Sequence, residues 1–83
     1  MYDCFITFRS ITTAQRGEYV LKQIGMRSIL QRTPKILSQQ GCGYSLRVAS
    51  HTCAAAVREL RQQGIPIGKV YCQNGENFQE VPV

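Results

Sequence analysis

The chain opens on an alternating pattern. Tyr2-Asp3-Cys4-Phe5-Ile6-Thr7-Phe8 is rich in aromatic and β-favouring residues, with Cys4, Ile6 and Phe8 on one face and Asp3, Phe5 and Thr7 on the other. That predicts a first strand. Ser10-Ile11-Thr12-Thr13 then supplies hydroxyls of the kind that cap a helix. From Thr12 to Ile24, apolar or small residues recur at Ala14, Gly17, Val20, Leu21 and Ile24, which is helical spacing, and Gly25 is placed to end that helix. Met26 to Leu30 reads as a short second strand. Thr33 is a candidate cap and Pro34 suits a first helical position, so Lys35 to Gln40 is expected to form a helical turn closed by Gly41.

The pattern then repeats. Tyr44-Ser45-Leu46-Arg47-Val48 alternates and predicts a third strand. Ser50 or Thr52 can cap a second helix whose core face, Cys53, Ala56, Val57 and Leu60, follows i, i+3, i+4, i+7. Gly64 stops it. Gly68 to Cys72 is the fourth strand, with Val70 and Cys72 facing inward, and Asn74-Gly75 is a hairpin signal. Asn77 to Val81 can return as a fifth strand on the edge, and Pro82 prevents it from continuing far.

The order strand-helix-strand-strand-helix-strand predicts an α+β fold of the ferredoxin-like βαββαβ kind. This is a two-layer sandwich with an antiparallel sheet and two helices on one face, here with an extra C-terminal edge strand. Residues 1–72 form the domain and 73–83 a tail or edge hairpin. The sheet face away from the helices is expected to carry Phe5, Thr7, Ser45, Arg47, Lys69 and Tyr71. Two aromatics on an otherwise wet face suggest a surface that pairs with a second copy.

Length and charge narrow the choices. At 83 residues the chain is one small domain, and a core of this size buries only about 60% of the unfolded surface, which makes a partner plausible. With 43% hydrophobic and 18% charged residues it is expected to be globular rather than disordered. The longest apolar run, Cys53 to Val57, is too short to cross a membrane. Met1 to Phe8 has none of the marks of a secretory signal, so a cytoplasmic location is expected. The formal charge is +5, and because Glu76 and Glu80 lie in the tail, residues 1–72 carry +10 and −3, or +7. A basic body attracts anions of several classes and does not choose among them.

The cysteines carry the candidate chemistry. They stand at 4, 42, 53 and 72, with no Cys-x-x-Cys pair and His51 as the single histidine, so neither a structural zinc site nor any other metal is expected. A disulfide framework would need an oxidising compartment that nothing indicates. Cys4, Cys53 and Cys72 fall on core faces, where cysteine behaves as a small hydrophobe. Cys42 differs, because Gly41 and Gly43 leave its sulfur unshielded.

A reactive thiol also needs its thiolate stabilised. The C-terminus of a helical turn just before Cys42 opposes this, so cations must compensate, and Arg32 and Lys35 are the nearest candidates, with Arg47 turned to the sheet face. His51 begins the second helix at the other end of the third strand, too far for a Cys–His nucleophile pair, and no general acid is apparent. The residues therefore point away from protease-type or amidase-type nucleophilic catalysis.

Taken together, Cys4-Phe5-Ile6-Thr7-Phe8-Arg9-Ser10, Arg32-Thr33-Pro34-Lys35 and Ser38-Gln39-Gln40-Gly41-Cys42-Gly43 resemble the selenium/sulfur (Se/S) carrier-like family of small, mostly bacterial proteins. The similarity runs from about Tyr2 to Tyr71. It implies a cysteine that holds sulfur or selenium as a persulfide or selenosulfide, and Cys42 matches the family's Cys-Gly cysteine. Ser10 and Thr33-Pro34 match its other recurrent positions, as a helix cap and a turn. Where the family commonly has Arg after the proline this chain has Lys35, which keeps the charge and loses the two-pronged grip on an anion. On this reading no cofactor is needed beyond the transient sulfur or selenium on Cys42. The partners are a cysteine desulfurase or a selenium-pathway enzyme. Arg32, Lys35, Gly41 and Gly43 support the thiolate or dock the partner.

Two other readings compete. One is a regulatory domain that dimerises through Phe5 and Tyr71 with no thiol chemistry. The other is an RNA-binding module, since RNA-recognition domains share this strand-helix order. Against it, the third strand lacks the leading basic residue and the second aromatic of that signature, and Tyr44 is expected to face the helices.

Overall fold

The computed structural model describes residues 3–38, 41 and 43–82. It contains β1 (Asp3–Phe8), α1 (Ile11–Gln23), β2 (Ile29–Arg32), β3 (Tyr44–Ala49), α2 (Cys53–Gln62), β4 (Val70–Asn74) and β5 (Asn77–Val81), with 3-10 turns at Lys35–Leu37 and Ser50–Thr52. The strands form one antiparallel sheet in the order β2-β3-β1-β4-β5. The chain is therefore an α+β fold of five antiparallel strands and two helices. No described helix is long and apolar enough to cross a membrane.

Helix boundaries follow from capping. Ser10 is extended and its Oγ accepts the Thr13 N–H at 3.2 Å, so α1 begins one residue before the expected Thr12. At the other end the Gly25 N–H reaches the Lys22 carbonyl and the Met26 N–H the Leu21 carbonyl, with Gly25 at φ +75°. This is a Schellman closure. It uses Met26 as part of the helix exit and moves the second strand from the expected 26–30 to Ile29–Arg32. The same closure ends α2, through Gly64 to Arg61 and Ile65 to Leu60. At the α2 start, the Thr52 hydroxyl donates to the Ala49 carbonyl rather than capping, because Ser50–Thr52 has already turned into a 3-10 helix.

Two more elements shift. The fourth strand is Val70–Asn74 rather than 68–72, and the hairpin loop is Gly75-Glu76, with Gly75 at φ +65°. Asn74 and Asn77 are paired, so the glycine is the first central residue of the turn. The helical turn expected over Lys35 to Gln40 is a 3-10 turn of three residues with Pro34 as its cap position; Gln39 and Gln40 lie outside the described residues.

The core lies between the helices and one sheet face. Cys4, Ile6, Phe8, Leu46, Val48 and Val70 pack with Ala14, Leu21, Ala56, Val57 and Leu60. Gly17 lets α1 come this close: a Cβ there would meet Leu46 Cδ1 at 3.2 Å, Phe8 Cζ at 3.2 Å and Leu60 Cδ2 at 3.3 Å. Gly17→Val is therefore expected to destabilise the protein by about 2–3 kcal/mol through overpacking. Gly17→Ala should cost far less, because the gain of about 1 kcal/mol in helix propensity opposes the tight fit. Urea midpoints of the two variants test this; equal midpoints for Gly17→Val and the parent would contradict it.

The opposite face departs from expectation in one respect. Phe5 was expected on an uncovered surface, yet it is buried, because β5 brings the Phe78 ring edge-on at 5.5 Å and Arg47 lies over it at 5.9 Å. Arg47 also donates from Nε to Asp3 Oδ2 at 2.8 Å. Of the residues expected on this face, Phe5, Thr7 and Ser45 are buried, Tyr71 is half-buried, and Arg47 and Lys69 are exposed.

Candidate functional site

Cys42 itself lies outside the described residues, and Gly41 and Gly43 on either side of it are described. Gly41, at φ +83°, donates its N–H to the Ser38 carbonyl at 3.1 Å. The Gly43 carbonyl accepts the Thr33 N–H at 3.0 Å, one step beyond the last β2–β3 pair, Arg32 with Tyr44. A Cβ built on either glycine meets nothing within 4 Å. Gly43 therefore leads into β3 at the end of the sheet marked by Phe8 and Arg32.

The charges at this end are positive. Arg32 is exposed and its guanidinium stacks over the Tyr44 ring, 5.7 Å from the centroid. Lys35 is exposed on the 3-10 turn. Among the described residues neither joins an ion pair; the pairs there are Arg47 with Asp3 and Lys69 with Glu80. Arg9, which the sequence reading passed over, stands one residue beyond the Phe8–Tyr44 pair and leads directly into the start of α1. A three-residue 3-10 turn has almost no macrodipole. The negative helix end expected just before Cys42 is thus small, and the positive end of the 13-residue α1 lies at the same edge of the sheet.

The other three cysteines form a second site. Cys4 and Cys72 face inward as expected, but they are not separate thiols: they are directly opposed across the β1–β4 ladder and joined in a disulfide. The expectation of three inert core thiols is corrected on this point. Its physical cause is register, which no spacing in sequence reveals. Cys53 remains a free, buried thiol, and burial pushes its pKa up from the ordinary value. Its sulfur lies within 4.8 Å of both others. This cluster sits at the Asp3–Ala49 end of the sheet, and the 41–43 segment adjoins the Phe8–Tyr44 end. His51, on the 3-10 turn before α2, belongs to the cluster's end.

The disulfide carries a stability prediction. For a sequence separation of 68, the chain-entropy argument gives about 4 kcal/mol. A dithiol reductant is expected to lower the urea midpoint accordingly; an unchanged midpoint would show that the crosslink contributes nothing to stability.

A model of the family described as "Putative Se/S carrier protein-like" matches residues 3–72. The chain belongs to that family. The matched stretch runs from the first residue of β1 to Cys72 in β4; it includes both helices and the Gly41-Cys42-Gly43 sequence and leaves out β5. No curated protein and no solved structure matches the chain.

Other features of this Se/S carrier-like chain are less suited to chemistry. A surface groove of about 1220 Å3 lies between α1 and the β2 side of the sheet, lined by Tyr19, Lys22, Met26, Ile29 and Arg47 among others. No cysteine is among its lining residues. Tyr44 packs against the helix-side core and so does not present its ring on the open sheet face.

Proposed function

We propose that the protein is a sulfur or selenium carrier that holds the chalcogen on Cys42 as a persulfide or selenosulfide. The observation that carries this reading is the family match across Cys42, whose flanking glycines stand in open space. The fold is read as ferredoxin-like, with β5 added outside β4. The chemistry is exchange at sulfur. The Cys42 thiolate attacks the outer sulfur of a persulfide on a donor enzyme, such as a cysteine desulfurase. A new S–S bond forms at Cys42, the donor's S–S bond breaks, and the donor cysteine leaves as a thiolate. Selenium transfers in the same way from a selenosulfide.

Such a carrier binds no permanent cofactor and need not accelerate a reaction. Arg9, Arg32, Lys35 and the α1 N-terminus favour the thiolate and an acidic docking partner. Ile36, 65% exposed beside Lys35, offers that partner an apolar contact.

The test is direct. The purified protein is incubated with a cysteine desulfurase and free cysteine, persulfides are trapped, and the chain is digested and weighed. The expected result is one added sulfur atom on the peptide that contains Cys42. No added sulfur, or sulfur found on Cys53, would overturn the reading.

A further inference from the structure

The Cys4–Cys53–Cys72 cluster is not used by this function and carries a second one. We propose that, once the Cys4–Cys72 disulfide is reduced, the three cysteines form a binding site for copper(I). Their sulfur atoms already lie within 4.8 Å of one another, on three different elements, β1, α2 and β4. The β1–β4 register fixes Cys4 opposite Cys72, and Cys53 is held as the first residue of α2. Three sulfurs around one ion, with metal–sulfur bonds of about 2.3 Å, need to stand about 4 Å apart. Breaking the disulfide and separating Cys4 from Cys72 within the present cluster reaches that spacing.

The choice of ion follows from the ligands. Soft thiolates select copper(I), zinc or iron–sulfur clusters. Zinc requires a fourth ligand, and among the described residues no histidine, aspartate or glutamate joins the three sulfurs. The three cysteines belong to the apolar core, with Val48 paired opposite Cys4 on β3 and Ala56 and Val57 on the core face of α2 that begins at Cys53. Three-coordinate copper(I) fits such a site. Cys53 also heads a helix of ten residues, whose positive end favours a thiolate against the effect of burial. Cys72, half-buried, is the route of entry.

The chemistry balances in two steps. A dithiol reductant supplies two electrons and two protons, the Cys4–Cys72 bond breaks to give two thiols, and the reductant becomes a disulfide. Copper(I) then replaces the protons of the three thiols, which pass to solvent, and the metal does not change oxidation state. The site exists only in the reduced protein.

The experiment is run in the Cys42→Ala background, so that Cys42 neither binds nor competes. The protein is reduced with dithiothreitol, freed of it without air, and titrated with copper(I) against the chromophoric chelator bicinchoninate, with far-UV circular dichroism recorded alongside. The expected result is one copper(I) per folded chain, bound at least tenfold more weakly by the unreduced protein and by Cys53→Ser. Equal binding in either case, preferential uptake of zinc, or a reduced chain that is unfolded would overturn the proposal. Should Cys53→Ser fail to fold, X-ray absorption at the copper edge of the loaded parent decides: three sulfur neighbours support the site, and two, or any nitrogen or oxygen, overturn it.

Discussion

Cys42→Ser is expected to abolish sulfur and selenium loading while leaving the fold unchanged. A serine hydroxyl cannot hold a sulfane sulfur and ionises far above neutral pH, so no residual transfer survives at this position. The structural cost is small. Serine and cysteine differ in a single side-chain atom, and the flanking Gly41 and Gly43 have nothing within 4 Å of a built Cβ, so a change of no more than about 0.5 kcal/mol is expected. Loading measured by trapped persulfide should therefore fall to background with an unaltered melting curve. Transfer that persists in the variant would move the carrier role to another thiol, and Cys53 is the free one among the described residues.

The largest effect on stability is expected from Phe8→Ala. Phe8 is fully buried at the end of β1, and its ring tip lies at the closest approach of α1 to the sheet. Removing a buried phenylalanine costs about 3–5 kcal/mol. A domain of 83 residues has a total stability of only about 4–12 kcal/mol, so the variant stands near the threshold of folding. Its Tm should fall by roughly 15 °C or more. Loading should fall with it, since Phe8 is paired with Tyr44 where the 41–43 segment enters the sheet. A Tm within a few degrees of the parent would show that the core tolerates the cavity.

Much of this architecture could be read from the residues alone. Alternation along 2–8 and 44–48 and the i, i+3, i+4, i+7 face of Cys53, Ala56, Val57 and Leu60 identified two strands and the second helix, because each turns a regularly spaced apolar face to the core. Boundaries were less legible where hydrogen bonding overrides pattern. Met26 is apolar and suits a strand, but its N–H closes α1.

The candidate site divided in the same way. Gly41-Cys42-Gly43 is local and visible in sequence. The position of Arg9 just past the Phe8–Tyr44 pair depends on the β1–β3 register, and the meeting of Cys4, Cys53 and Cys72 on strand pairing and helix placement across 68 residues. Spacings of 38, 11 and 19 between successive cysteines contain no trace of it. Phe5 looked exposed for a related reason: the residue that covers it, Phe78, lies in a hairpin strand whose pairing the sequence only suggests.

Site-resolved alkylation of the native, unreduced protein from about pH 5 to pH 9, read by mass spectrometry, tests the central claim most directly. Free thiols ionise near pH 8.5. The carrier account predicts that Cys42 is modified first and well below that pH. Cys53 should stay unreactive because burial raises its pKa, and Cys4 and Cys72 should be protected by their disulfide. A Cys42 no faster than Cys53, or one that reacts only above pH 8.5, would contradict it.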